Sequence, residues 1–226
     1  MTRRGRPPGP TDQGRATWNS LYTTAIRLFS ERGYEATTLR GIAREAGVSP
    51  GLLYRYFPSK AAVVLALYDE LSTDFAARAQ AQPSGGWAER VVWVADLSLE
   101  TLEPYRAVLA AVLPALLVDR EAGLLSRSAW SSRDRVRQCF VLAVAEADDG
   151  PADAEVLGGL AYLAHLGLIL WWVLDRSEGQ EATQKLLELT SSWAPTLGWL
   201  PSLPGADGLL RQLASLADRA LYEDDP

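Results

Sequence analysis

Residues 37–60, TTLRGIAREAGVSPGLLYRYFPSK, read as two short helices joined by a glycine corner. In the first, about Leu39–Ala46, the residues Leu39, Ile42, Ala43 and Ala46 recur at i, i+3, i+4 and i+7, so one face packs while Arg40, Arg44 and Glu45 stay polar. Gly47 supplies the left-handed backbone that ends a helix at least steric cost, and Val48 turns the chain back toward the core. Ser49 is a good N-cap and Pro50 suits the first helical position, so a second helix starts cleanly and runs through Gly51, Leu52, Leu53, Tyr54 and Arg55 to about Tyr56. This is the pattern of a helix-turn-helix, in which the first turn of the second helix approaches base edges in the major groove. Gly51 leaves room for that approach, Leu52 suits a thymine methyl, and Tyr54, Arg55 and Tyr56 suit backbone or bases. A glycine corner also joins packing helices in ordinary bundles. Tyr56 and Phe57 fit core packing as well as contact, and Phe57 is expected in the core.

From Phe29 to Lys60 the order of residue types, FSERGYEATTLRGIAREAGVSPGLLYRYFPSK, resembles the DNA-binding domain of TetR-family transcriptional regulators. The resemblance covers the first quarter of the chain; the remainder fits only by length and helical character. It implies an all-α protein: a three-helix head with the helix-turn-helix, a larger helical body, and about nine to ten helices. It also implies that Thr38, at the start of the second helix, and Lys60, after the helix-turn-helix, hold phosphates. The chain departs from the family pattern at Ala61 and Ala62, where an acidic residue commonly follows the Ser-Lys pair. The first turn of that helix therefore lacks a carboxylate, which leaves it more positive and favours phosphate.

Charge is divided along the chain. Residues 1–60 hold ten Lys and Arg against four Asp and Glu, whereas the rest hold twelve against twenty-four, although the total is −6. A basic end on an acidic body orients the molecule on DNA as well as holding it there. Residues 1–11 read as a flexible basic arm: MTRRGRPPGP has no apolar run or cleavage-site pattern, so neither a signal peptide nor a membrane anchor is expected. Arg3, Arg4 and Arg6 lie in it, and Arg4-Gly5-Arg6-Pro7 looks like the core of an AT-hook for a narrow minor groove. A solvated tail fits the same run equally well.

Residues 12–58 are then the DNA-binding domain, and 59–226 a linker helix followed by the body. The first helix spans about Asp12–Arg32, with Trp18, Leu21, Tyr22, Ala25 and Phe29 on one stripe and Gly33 as its stop. Ser59 caps a fourth helix that ends near Gln80, before the breaker run Gln82-Pro83-Ser84-Gly85-Gly86. Helices follow at about Trp87–Leu102, Tyr105–Val118 and Ala122–Glu146. Pro104 and Pro114 predict a short, kinked sixth helix that moves easily, although Pro104 equally suits a plain helix start. A closing helix, about Asp207–Tyr222, is expected to turn Leu210, Leu213, Ala217 and Leu221 inward.

Residues 156–174, VLGGLAYLAHLGLILWWVL, are nineteen residues without a formal charge and long enough to span a bilayer. Flanking Asp153, Glu155, Asp175, Arg176 and Glu178 show no basic bias, and Gly158, Gly159, Gly167 and His165 dilute the apolarity, so a buried helix is expected instead. The family resemblance implies its place: with the next helix it packs against a second copy in a four-helix dimer interface through Leu160, Leu168, Trp171, Leu186, Leu189 and Trp193. Two-fold symmetry then implies a palindromic operator on double-stranded DNA.

Seven of the eight Trp lie in the body. Trp93, Tyr105, Trp130, Phe140, Tyr162, His165 and Trp172 are candidates to line a cavity for a small apolar or aromatic effector, although aromatic residues at helical spacing also make ordinary core. Asp96, Glu100 and Glu103 suit either a cationic ligand group or a solvated face. His165, the only histidine, has no chelating partner, so no metal is expected and no cofactor. The chain lacks a phosphate loop, a nucleophile elbow and a zinc-helix pattern, so no enzyme is expected. A single cysteine, Cys139, excludes an internal disulfide and agrees with the cytoplasm. The resemblance implies a sequence-specific, ligand-responsive DNA-binding regulator, a repressor that the ligand releases from its operator; the alternative is a constitutive architectural DNA binder without a ligand.

Overall fold

The computed structural model of the chain describes residues 12–118, 123, 125–199, 201 and 203–222. Among these residues the structure is all helical, with ten α-helices and no strand. The first four are α1 (Asp12–Arg32), α2 (Leu39–Glu45), α3 (Pro50–Tyr56) and α4 (Lys60–Ala79). The body continues with α5 (Trp87–Leu102), α6 (Arg106–Val118), α7 (Trp130–Ala145), α8 (Ala154–Leu174), α9 (Glu181–Leu197) and α10 (Ala206–Tyr222). The arm expected at residues 1–11, with Arg3, Arg4 and Arg6, lies outside the described residues.

Side-chain oxygens start the short head helices. Thr38 accepts from the Gly41 N–H at 3.0 Å, Ser49 from Leu52 at 3.2 Å and Ser59 from Ala62 at 3.0 Å. Gly33 and Gly47 hold positive φ angles of 86° and 68° at the two corners. Between them Thr37, buried, donates to the Gly33 carbonyl at 2.8 Å and also reaches that of Leu28. The head core joins Leu21, Ala25, Leu28 and Phe29 of α1 to Ile42, Ala43 and Leu53, with Phe57 buried as expected. Trp18 stacks on Tyr22 at 4.9 Å and meets Phe57 at 5.5 Å.

This core does not end with the head. Val63, Val64, Leu67 and Leu71 of α4 and Val108 and Val112 of α6 belong to the same cluster, so two body helices are packed directly into it. The body proper closes around Phe75, Val94, Leu97, Val136, Phe140, Ala143 and Tyr162. Gly158 lets α8 lie close on α7, since a Cβ there would stand 2.5 Å from the Val141 Cα.

Three local readings differ from the sequence pattern. The seventh helix starts at Trp130, not near Ala122, because Ser126 is extended and a 3-10 turn, Arg127–Ala129, precedes the helix. Pro104 sits at the start of a 3-10 turn, Glu103–Tyr105, the plain helix-start role, while α6 continues past position 114 to Val118. On α10, Leu213 and Leu221 are exposed rather than inward, because among the described residues this helix rests chiefly on α8 and leaves the rest of its apolar stripe uncovered.

Candidate nucleic-acid interface and effector cavity

The start of α3 stands clear of the head core. Ser49, Pro50, Gly51, Tyr54 and Arg55 are exposed, Leu52 and Tyr56 are half-buried, and Leu53 alone turns fully inward. A Cβ on Gly51 would meet nothing within 4 Å, so open space lies over the first turn. Tyr56 packs partly against the head core, which combines the two roles its sequence position allows. Arg40 and Arg44 of α2 are exposed beside this surface, as is Thr38. The Thr38 oxygen caps α2 as an acceptor, which leaves its O–H to donate outward. Arg44 is a further exposed cation that the periodicity marked only as polar.

Lys60 is held more tightly than its motif implies. Its ammonium donates to the Tyr34 carbonyl at 2.6 Å and lies 4.2 Å from the centre of the Tyr34 ring. It therefore ties the corner after α1 to the start of α4. On the far side of the head, Arg27 pairs with Glu31 and with Glu45, each at 2.8 Å. The hydrogen bond from Arg27 holds the Glu45 carboxyl below its ordinary range, and this bridge braces α1 against α2.

In the body, α4, α5, α6, α7 and α8 enclose a cavity of about 320 Å³. Its wall is mostly aliphatic, with Leu67 and Leu71 of α4, Leu109 and Val112 of α6, and Leu166 and Ile169 of α8, and the rings of Tyr68 and Phe75 join it from α4. Of the residues proposed from sequence, Tyr162 and His165 line it. Phe140 is buried behind His165, with ring centres 4.8 Å apart. The other four fall elsewhere. Trp93 flanks a separate groove against α9, Trp130 is exposed, Tyr105 packs on the head core, and Trp172 is buried with its indole N–H on Glu103 at 3.2 Å. Tyr105 and Trp172 pack between helices instead, while the hollow is lined mostly by branched aliphatic side chains, which give no sequence signal of their own.

Of the three carboxylates at helical spacing, two make structural contacts and one is solvated. Glu100 pairs with Arg78 at 2.9 Å, Glu103 accepts from Trp172, and Asp96 is exposed with a pKa raised by partial burial and by Glu100. Cys139 is buried, donates to the Arg135 carbonyl at 3.3 Å and is pushed up to about 11 by burial, so it is no nucleophile at neutral pH.

The outer helices present the opposite surface. On α8 and α9, Trp171, Leu189 and Trp193 are exposed, while Leu160, Leu168 and Leu186 are half-buried. Leu170 and Leu174 extend the exposed row on α8. By length and composition α8 is long and apolar enough to cross a membrane, yet it packs along α7 and also touches α5, α6 and α10.

Residues 21–67 match the family described as bacterial regulatory proteins, tetR family. The regulator HbdR of Aromatoleum sp. (strain CIB) is 52% identical over 42 residues, which is 19% of this chain and 18% of that protein. The A-factor receptor protein of Streptomyces griseus is 41% identical over 54 residues, 24% of this chain and 20% of that protein. The sequence match thus spans about a fifth of the length of these curated relatives. Likeness of fold extends further. A tetR-family transcriptional regulator from Streptomyces coelicolor superposes with a TM-score of 0.59 at 21% identity, covering 94% of this chain and 99% of that one. Salmonella enterica GusR gives 0.62 at 18% identity over 83% of this chain and 97% of its own. FadR from Bacillus subtilis, solved in complex with stearoyl-CoA, gives 0.59 at 19% identity over 77% of this chain and 98% of its own. The head thus matches the tetR-family DNA-binding domain over residues 21–67, and the chain as a whole shares the fold of tetR-family regulators.

Proposed function

We propose that the chain is a homodimeric transcriptional repressor that releases a palindromic operator when a small apolar molecule enters the body cavity. The observation that carries this reading is shared packing: Val64, Leu67, Leu71 and Val112 line the cavity and also belong to the head core. A ligand that reshapes those contacts acts on the head without an intermediary. Effector binding need only favour the arrangement in which the two heads no longer match their half-sites, and a coupling of roughly 1–3 kcal/mol changes operator affinity about five- to 150-fold.

Base reading is assigned to Ser49, Pro50, Gly51, Leu52, Tyr54 and Tyr56, and phosphate contact to Thr38, Arg40, Arg55 and Lys60. The exposed Trp and Leu residues of α8 and α9 support the dimer, since a continuous apolar surface of this kind is costly in water. The same covering argues against reading α8 as a membrane span and agrees with work in the cytoplasm. A constitutive architectural role leaves the cavity and its shared wall without a purpose.

Selection from a randomised duplex library with full-length protein at roughly 150 mM salt tests the reading, because non-specific binding is weak there. A palindrome, released when the ligand binds, is the expected result. Recovery of no motif from ligand-free protein overturns it.

A further inference from the structure

The wall of the cavity also constrains what enters it. Among the described residues that line it, none is charged. Two guanidiniums touch the wall from outside, Arg135 on Ser72 and Arg78 on Thr101, and each is already paired with a carboxylate, Asp69 at 3.1 Å and Glu100 at 2.9 Å. A carboxylate or ammonium carried inside would lose its hydration without gaining a counter-charge, whereas a hydrocarbon loses little. The lining hydroxyls of Ser72 and Thr101 are engaged too, donating to the backbone carbonyls of Asp69 and Leu97.

His165 is the exception. It is 3% exposed, its Nε2 meets the Ser98 hydroxyl at 3.1 Å, and its Nδ1 has no hydrogen-bond partner among the described residues. Burial pushes its pKa down to about 3, so the ring is neutral and carries one N–H and one acceptor nitrogen. A buried ring nitrogen left without a partner is costly, and a ligand group that fills it regains that cost on binding.

Resting on the ligand-responsive reading above, we infer that the cavity takes a neutral, mainly aliphatic molecule bearing one hydroxyl or carbonyl group, which His165 recognises through its unfilled ring nitrogen. A hydroxyl serves either tautomer, because it both donates and accepts; a carbonyl serves the tautomer with hydrogen on Nδ1. The wall selects for an uncharged chain and His165 for the single polar group on it.

The test uses full-length protein and four probes of one chain length at about pH 8: 1-octanol, 1-chlorooctane, octanoate and octylammonium, with affinities read by calorimetry. The expected order places 1-octanol first, 1-chlorooctane about two- to tenfold weaker for want of the hydrogen bond, and both ions about tenfold weaker or more. His165→Phe should abolish the preference for 1-octanol over 1-chlorooctane, and His165→Gln, which keeps a donor and an acceptor, should retain part of it. Leu109→Trp, which fills the cavity from α6, should abolish binding of all four while circular dichroism remains helical. If the ions bind as well as the alcohol, the neutral class is wrong although the ligand-responsive reading stands. Preference for the alcohol in both His165 variants overturns the role of His165, and unchanged binding in Leu109→Trp places the site elsewhere. Binding of none of the four overturns the ligand-responsive reading itself.

Discussion

In the head, Leu21, Phe29, Ile42 and Leu53 are almost wholly buried within one chain, and three consecutive helices begin on a side-chain cap. In the outer body, α8 and α9 leave Leu174, Leu189 and Trp193 each more than half exposed, at 63%, 57% and 56%. The head has finished its packing, and apart from Tyr54 what it shows fully to solvent is mostly polar or small, suited to a groove lined with phosphates. The outer helices have not finished theirs. Burial of apolar surface is the main favourable term in folding and association, so the two regions call for different partners: nucleic acid for one, a second apolar face for the other.

The strongest attempt to break that contrast is the pair Trp171→Asp and Trp193→Asp. Two central aromatic anchors are worth about 4 kcal/mol or more together, roughly a thousandfold in dimer affinity. Sedimentation should show a monomer that remains helical, with operator binding largely lost; a dimer that persists would remove the distinction between the regions. Within the body, Gly158→Ala forces a methyl against the backbone of Val141. Overpacking of this kind costs about 1–3 kcal/mol, and thermal melting should fall by roughly 2–12 °C.

In the head, Lys60→Ala separates two duties. Loss of the bond to Tyr34 should lower stability by about 1–2 kcal/mol, and loss of a phosphate contact should reduce the salt slope of DNA binding by about one. A stability loss with an unchanged slope would make Lys60 a structural tie only. A corner glycine and a helix glycine sharpen the point at smaller scale. Gly47→Ala should cost about 1–2 kcal/mol because its φ is 68°, whereas Gly51→Ala, facing open space, should leave melting unchanged and alter which operator half-sites are bound.

The smallest effect concerns the turn from α8 to α9. Hydrogen bonds from the Thr183 hydroxyl at 2.6 Å and the Ser177 hydroxyl at 2.7 Å hold the Asp175 carboxyl well below the usual carboxylate range. A carboxyl whose pKa is depressed on folding adds stability above its unfolded value of about 3.9 and loses it as pH falls further. Melting at neutral pH and in strong acid should therefore show Asp175→Asn slightly less stable than the parent at neutrality, with the gap closing in acid. A constant gap would assign Asp175 a steric role instead.

The legibility of these regions in the sequence follows the same divide. The helix-turn-helix is specified within a few residues: Gly47 before Ser49-Pro50, and Leu39, Ile42 and Ala43 at helical spacing. Those signals act locally, and the helices form where the pattern places them. The cavity is set by how five helices miss one another, which no single spacing encodes. Trp172 and Phe140 drew attention by size, yet a large side chain is more apt to fill a seam than to leave a hollow, and the hollow lies beside Leu71, Leu109 and Val112. The uncovered stripe of α10 was read as inward because periodicity marks an apolar face without saying which chain covers it.

Cys139 has a practical consequence. It is the chain's only thiol, sealed in α7 and protonated at neutral pH. A cysteine introduced at the exposed position of Tyr54 would thus be the sole site open to a spin label or fluorophore, with no need to remove the natural one. The molecule offers a silent background for ruler measurements between the two reading helices of a dimer, taken as a ligand is added.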